Sequence, residues 1–69
     1  MKTDFSLRLK NARIESGLKA QYVAETVGVT LRAIYNYENG IREPSLDTLA
    51  KLCDVLGVTS DYLIGRTDY

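Results

Sequence analysis

Apolar residues recur along this chain at three- and four-residue spacing, and no stretch alternates with period two long enough to predict a strand. Phe5, Leu9, Ala12 and Ser16 define one face of a first helix, with Asp4 as its candidate N-cap and Gly17 as its stop. Val23, Ala24 and Val27 mark a second helix from about Ala20, ended by Gly28. Thr30 is a natural N-cap for a third helix running from Leu31 to about Asn39, with Ile34 and Tyr37 on its inner stripe and Asn39-Gly40 closing it. Ile41 to Pro44 read as a loop. Ser45 then caps a fourth helix whose stripe is Leu46, Leu49, Leu52, Cys53 and Leu56, stopped by Gly57. Thr59 caps a short fifth helix containing Tyr62 and Leu63. The pattern predicts an all-α, compact five-helix fold.

Sixty-nine residues supply one small core, so residues 1–69 are expected to form a single domain. With 45% apolar and 26% charged residues, the composition is that of a globular chain and not a disordered one. The longest apolar run is a few residues, too short to span a membrane. Met1 is followed by the polar stretch KTD, so no signal peptide is expected. Cys53 is the single cysteine and histidine is absent, which excludes zinc sites built on Cys and His and catalytic triads that need His. No acids are paired at a suggestive spacing. Neither an enzyme nor any cofactor, metal or small-molecule ligand is expected. Cys53 falls in the leucine stripe of helix four and reads as a buried, inert thiol. A lone thiol suits a reducing cytoplasm.

Nine basic residues balance nine acidic ones. Residues 1–43 carry seven basic and five acidic side chains, a net +2, and residues 44–69 carry two and four, a net −2. That asymmetry is mild and does not by itself identify a ligand.

The stretch AQYVAETVGVTLRAIYNYEN, residues 20–39, is the informative one. Two short helices joined only by Gly28-Val29-Thr30 must cross steeply, which needs a small residue at their approach, and Ala24 meets that need. Gly28 permits the positive φ of a tight turn. Val29, Ile34 and Tyr37 seat the third helix on the core and leave its other face outward, where it can enter a DNA major groove.

On these residues the chain resembles the lambda-repressor/Cro-like (XRE) helix-turn-helix family over residues 5–64. The match is carried by RLKNAR at 8–13, GL at 17–18, VAETVGVT at 23–30 and IYNYENGIREPSLDTLAKLCDVLGV at 34–58. The resemblance implies a lambda-repressor-like DNA-binding domain. It implies base contacts from Leu31, Arg32, Tyr35 and Asn36: Arg suits guanine, Asn suits adenine and Leu a thymine methyl. A solvated helix face is the competing reading of Arg32 and Asn36. Backbone contacts are implied at Lys19, Gln21, Thr30, Asn39, Gly40 and Arg42, with Glu43 opposing a nearby phosphate. Where relatives often carry Gln at the start of helix two, this chain has Ala20, and Lys19 stands where a Ser or Thr would cap the helix. Lys19 suits a phosphate there, or marks a frayed cap.

The resemblance also implies an ion pair between Arg13 and Glu38, joining helices one and three. Tyr37 reads as core, whereas Tyr22 and Tyr35 project toward the DNA side, where a phenol can donate to phosphate. Ile14, Val58 and Ile64 look only partly coverable by so small a core; Val58, Tyr62 and Ile64 form the expected contact of a weak homodimer. The function implied is that of a cytoplasmic bacterial or phage repressor, bound as a dimer to a palindromic double-stranded operator. An antirepressor or antitoxin-type module using the same fold against another protein is the alternative. A tail such as LIGRTDY is also where longer regulators continue, so the excised N-terminal domain of one remains open.

Overall fold

A computed structural model describes residues 4–67, so the residues directly after Met1 lie outside the described ones. Five helices follow in chain order: α1 Phe5–Glu15, α2 Ala20–Val27, α3 Leu31–Glu38, α4 Leu46–Leu56 and α5 Ser60–Leu63. Among the described residues there is no strand. The all-α, five-helix expectation is met.

Three of the N-caps form as their residue types dictate. The hydroxyls of Thr30, Ser45 and Thr59 accept from the backbone N–H groups of Ala33, Thr48 and Tyr62, satisfying a donor that each helix start would leave orphaned. Asp4 departs from expectation. It occupies the N-cap of α1, but its side chain makes no capping hydrogen bond. Its backbone sits at φ −91°, ψ 28°, not in the extended conformation of the other N-caps, and only its carbonyl serves the helix, accepting from Arg8 N–H at 2.9 Å.

The core is assembled from one face of every helix. Leu9 and Ala12 of α1 meet Val23, Ala24 and Val27 of α2, Ile34 and Tyr37 of α3, Leu52 and Leu56 of α4 and Leu63 of α5, all buried. Helix α3 packs on α1 and α2, while α4 and α5 close the other side. At the α2–α3 corner, Ala24 is buried and its carbonyl accepts the N–H groups of both Gly28 and Val29, at 2.9 and 3.0 Å. Gly28 lies at φ +82°, a left-handed conformation that side chains disfavour. The turn is therefore closed by backbone hydrogen bonds beneath a residue small enough to let the helices approach.

Leu46 is a correction to the expected stripe of α4. It is 83% exposed. Its spacing from Leu49 and Cys53 matches the inner face, yet it is the first residue of α4. Helical side chains lean toward the N-terminus, so this one overhangs the end of the helix with little among the described residues to cover it. Val55, absent from the expected stripe, packs against the core instead. Leu46→Ala is accordingly expected to change stability by less than about 0.5 kcal/mol; urea denaturation of the two proteins checks it.

A contact with no local signal in the sequence ties the chain's last described residues to its first helix. Arg8 donates through Nη1 to the carbonyls of Tyr62 at 3.0 Å and Thr67 at 2.6 Å, and its guanidinium lies 4.8 Å from the centroid of the Tyr62 ring. The arrangement combines charge-assisted hydrogen bonds with a cation–π contact.

Candidate nucleic-acid interface

Helix α3 has two unlike faces. Ala33, Ile34, Tyr37 and Glu38 are buried, whereas Arg32 and Tyr35 are exposed and Asn36 is half-buried. Arg32 and Asn36, four residues apart, share the outer face. Leu31 is divided between the two: it is half-buried and packs against the core, which leaves only part of its side chain outward.

Glu38 is the acid on this helix, and it is withdrawn from the outer face. Arg13 donates from Nε to Glu38 Oε2 at 2.6 Å and from Nη2 to Oε1 at 3.1 Å, a fork-to-carboxylate pair. A third donor, Nη1, reaches the carbonyl of Leu18 at 3.0 Å. The side chains are 15% and 3% exposed, so the pair is largely out of water. Hydrogen bonding to Glu38 holds the Arg13 guanidinium above its ordinary range, against the opposing effect of burial. One guanidinium thus fastens α1, the α1–α2 connection and α3 together. Without it, Glu38 would set an unpaired negative charge beside any phosphate that α3 approached.

After α3 the chain turns back on itself. Asn39 N–H donates to Tyr35 O at 2.8 Å, Gly40 N–H to Tyr37 O at 3.4 Å, and the N–H groups of Ile41 and Arg42 share Asn36 O at 2.9 and 3.3 Å. Gly40, at φ +74°, makes the reversal possible. Four successive backbone donors are therefore directed at the helix end, and the loop exposes the side chains of Asn39, Ile41, Arg42 and Glu43, so the Arg42 cation has an acid beside it on the same surface.

At the other end of the motif, Lys19 occupies the N-cap of α2 in an extended conformation with no side-chain capping bond, its ammonium in solvent. Ala20 is buried, so at that position this chain has core instead of a polar arm. Gln21 is exposed and donates to Glu25 Oε2 at 2.9 Å along the surface of α2. Thr30 is exposed, but its hydroxyl oxygen already accepts from Ala33 N–H. Tyr22 is placed differently from Tyr35. It borders a groove with Thr26 and with Lys51, Asp54 and Val55 of α4, which puts it on the α4 side of α2.

The three residues expected at a subunit contact are not gathered in one hollow. Val58 and Tyr62 border a groove with Ala12, Glu15 and Thr59, whereas Ile64 lines a separate hollow with Phe5, Glu43, Pro44 and Leu49. Ile14 is exposed. Cys53 is half-buried against the core, and burial, with the Asp54 charge beside it, pushes its thiol up and away from the reactive thiolate. No helix among the described residues is long and apolar enough to cross a membrane.

These five helices, with the short α2 and α3 joined by a three-residue turn and one face of α3 turned outward, define a helix-turn-helix unit. The sequence model of the helix-turn-helix family matches residues 9–63, and the chain belongs to that family. It is 41% identical to the SPbeta prophage-derived HTH-type transcriptional regulator YonR of Bacillus subtilis over 91% of this chain and 58% of that protein. Among solved structures, it is similar to the N-terminal DNA-binding domain of SinR from Bacillus subtilis, at a TM-score of 0.79 and 30% identity, covering 87% of this chain and 88% of that one. The DNA-binding domain of the P22 c2 repressor is matched at a TM-score of 0.84 and 26% identity over 97% and 95% of the two chains. The chain spans about half the length of the curated relatives it matches.

Proposed function

We propose that this chain is the DNA-binding domain of a transcriptional repressor, which inserts α3 into the major groove of an operator. The observation that carries the reading is the division of α3: Arg32 and Asn36 face outward while Glu38, its acid, is neutralised by Arg13 beneath the surface. A helix so disposed presents base-reading groups and no unpaired negative charge. The relatives agree with it, since YonR is a transcriptional regulator and the matched part of SinR is its DNA-binding domain. No part of the reading calls for catalysis or a cofactor. Arg32 and Asn36 read base edges, with Leu31 against a thymine methyl. Lys19, Asn39 and Arg42 hold the backbone, where Gln21, Thr30 and Gly40 border the contact.

One α3 face reads about four or five base pairs, too few to define a genomic site. Two copies on a palindromic operator, with half-sites roughly 10 base pairs apart, supply the rest. The subunit contact is assigned to the α5 end, where Val58 and Tyr62 border one groove and Ile64 a separate hollow.

Selection of bound sequences from random double-stranded DNA, followed by titration of the selected site, tests this function. Arg32→Ala is expected to lose about 1–3 kcal/mol more on the selected site than on random DNA. Arg42→Ala is expected to weaken both alike and to lower the salt slope by about one. Equal losses on the two DNAs for Arg32→Ala would remove it from the reading face. A selection that returns no preferred sequence, from a chain that binds another protein instead, would replace repression with the antirepressor reading.

A further inference from the structure

Helix α1 turns one flank toward the end of α3 and the loop that follows it. On that flank Arg13 pairs with Glu38, the last residue of α3. Near the other end of α1, the Cβ that Gly40 lacks would stand 3.6 Å from the Ser6 hydroxyl. Lys10 lies between these two anchors. At about 100° per residue it is about 40° round from Ser6, about 60° from Arg13 and about 100° from the buried Leu9. It therefore occupies the solvent edge of the flank, and its side chain is exposed.

The charges around this edge set Lys10 apart from the other cations. Arg13 is committed to Glu38 and to Leu18 O, whereas Lys10 makes no ion pair among the described residues. Its neighbours three and four residues away along α1 are Ser6, Leu7, Arg13 and Ile14, so no acid of its own helix opposes it. Arg42, the cation of the adjoining loop, has Glu43 beside it, and Lys51 of α4 borders a groove with Asp54. The chain as a whole is neutral, so its attraction to phosphates depends on where unopposed cations stand. Helix α1 packs on α3 from the side of the core, outside any groove that α3 enters. A lysine at its edge meets the phosphate ridge beside the groove and not the base edges within it.

Resting on the DNA-binding reading above, we infer that Lys10 is a further backbone-holding residue. Its ammonium takes an operator phosphate beside the one held by loop 39–42, and contributes no sequence preference.

Lys10→Ala removes the charge from an exposed helical position, so the variant should melt with the wild type. Loss of one phosphate contact should weaken binding about tenfold at about 0.1 M salt and lower the salt slope by about one. The fall should be the same on the selected operator and on random DNA. Lys10→Arg keeps the charge and should bind as wild type does. Lys51→Ala removes an equal charge from α4 and should change neither affinity nor slope. On the selected operator, a neutral methylphosphonate placed at each backbone position in turn should reveal one where wild type loses affinity and Lys10→Ala loses no more. That position should neighbour the one to which Arg42→Ala is insensitive. Equal weakening by Lys10→Ala and Lys51→Ala would mean that net charge alone is sensed, which overturns the inference. Lys10→Ala binding both DNAs as wild type does would overturn it too, leaving the DNA-binding reading standing. So would a loss confined to the selected site, which would make Lys10 a reader of sequence. If wild type binds no DNA, the reading itself falls, and the role of Lys10 with it.

Discussion

Replacing Glu38 by alanine is expected to destabilise the domain by about 3–5 kcal/mol. The carboxylate is 3% exposed and takes two hydrogen bonds from Arg13, whose own side chain is 15% exposed. Removing it leaves a guanidinium largely out of water with only the Leu18 carbonyl for company. A domain of this size has little stability to spare, of the order of 5 kcal/mol, so much of the variant should be unfolded at physiological temperature. Glu38→Gln keeps the shape and one acceptor, and its loss should be smaller. Urea denaturation followed by circular dichroism measures both, and a double-mutant cycle with Arg13→Ala isolates the pair. Coupling below about 0.5 kcal/mol would reduce it to an ordinary surface ion pair.

Ile34→Ala is the second large effect, at about 2–5 kcal/mol. Ile34 is 1% exposed and seats α3 against the core, on the side away from Arg32 and Asn36. Deleting its side chain opens a cavity under the reading helix without touching the reading face. Below the variant's melting temperature, the ratio of operator to random-DNA affinity should therefore match wild type. Any drop in apparent affinity should track the unfolded fraction alone. A changed ratio would mean that the seat of α3 tunes its base contacts as well as its stability.

Features governed by local chemistry are legible in the sequence itself. Thr30, Ser45 and Thr59 cap because a hydroxyl at the residue before a helix satisfies that helix's own N–H groups, whatever surrounds it. Gly28 and Ala24 follow from the steepness of a three-residue connection. The Arg13–Glu38 pair came from family resemblance, since nothing about residues 25 positions apart announces a contact; the structure gives it a third anchor at Leu18 O that the resemblance did not include.

What was not legible depends on what stands opposite. Leu46 has the spacing of a core residue, but periodicity reports direction around a helix and not whether a neighbour is present. Asp4 has the right chemistry for a cap and the wrong backbone conformation. Arg8 finds its partners 54 and 59 residues away, and they are main-chain carbonyls, which carry no sequence signal. Val58, Tyr62 and Ile64 share a sequence signature, spare apolar groups at the C-terminal end, but that signature does not show that Val58 and Tyr62 border one groove and Ile64 another hollow, beside Phe5 and Pro44. For the candidate interface, the face of α3 was readable from its buried stripe. The inward direction of the backbone donors at 39–42 was not, because it depends on the carbonyl of Asn36 serving two of them.

The central claim is that α3 reads DNA sequence in the major groove. Its most direct measurement is the affinity of the wild-type chain for its selected site and for random duplex of the same length, each titrated across salt. The account predicts binding to both that weakens steeply as salt rises, with the selected site preferred by about a thousandfold or more. Equal affinity for the two duplexes, or no binding to either at low salt, would contradict it.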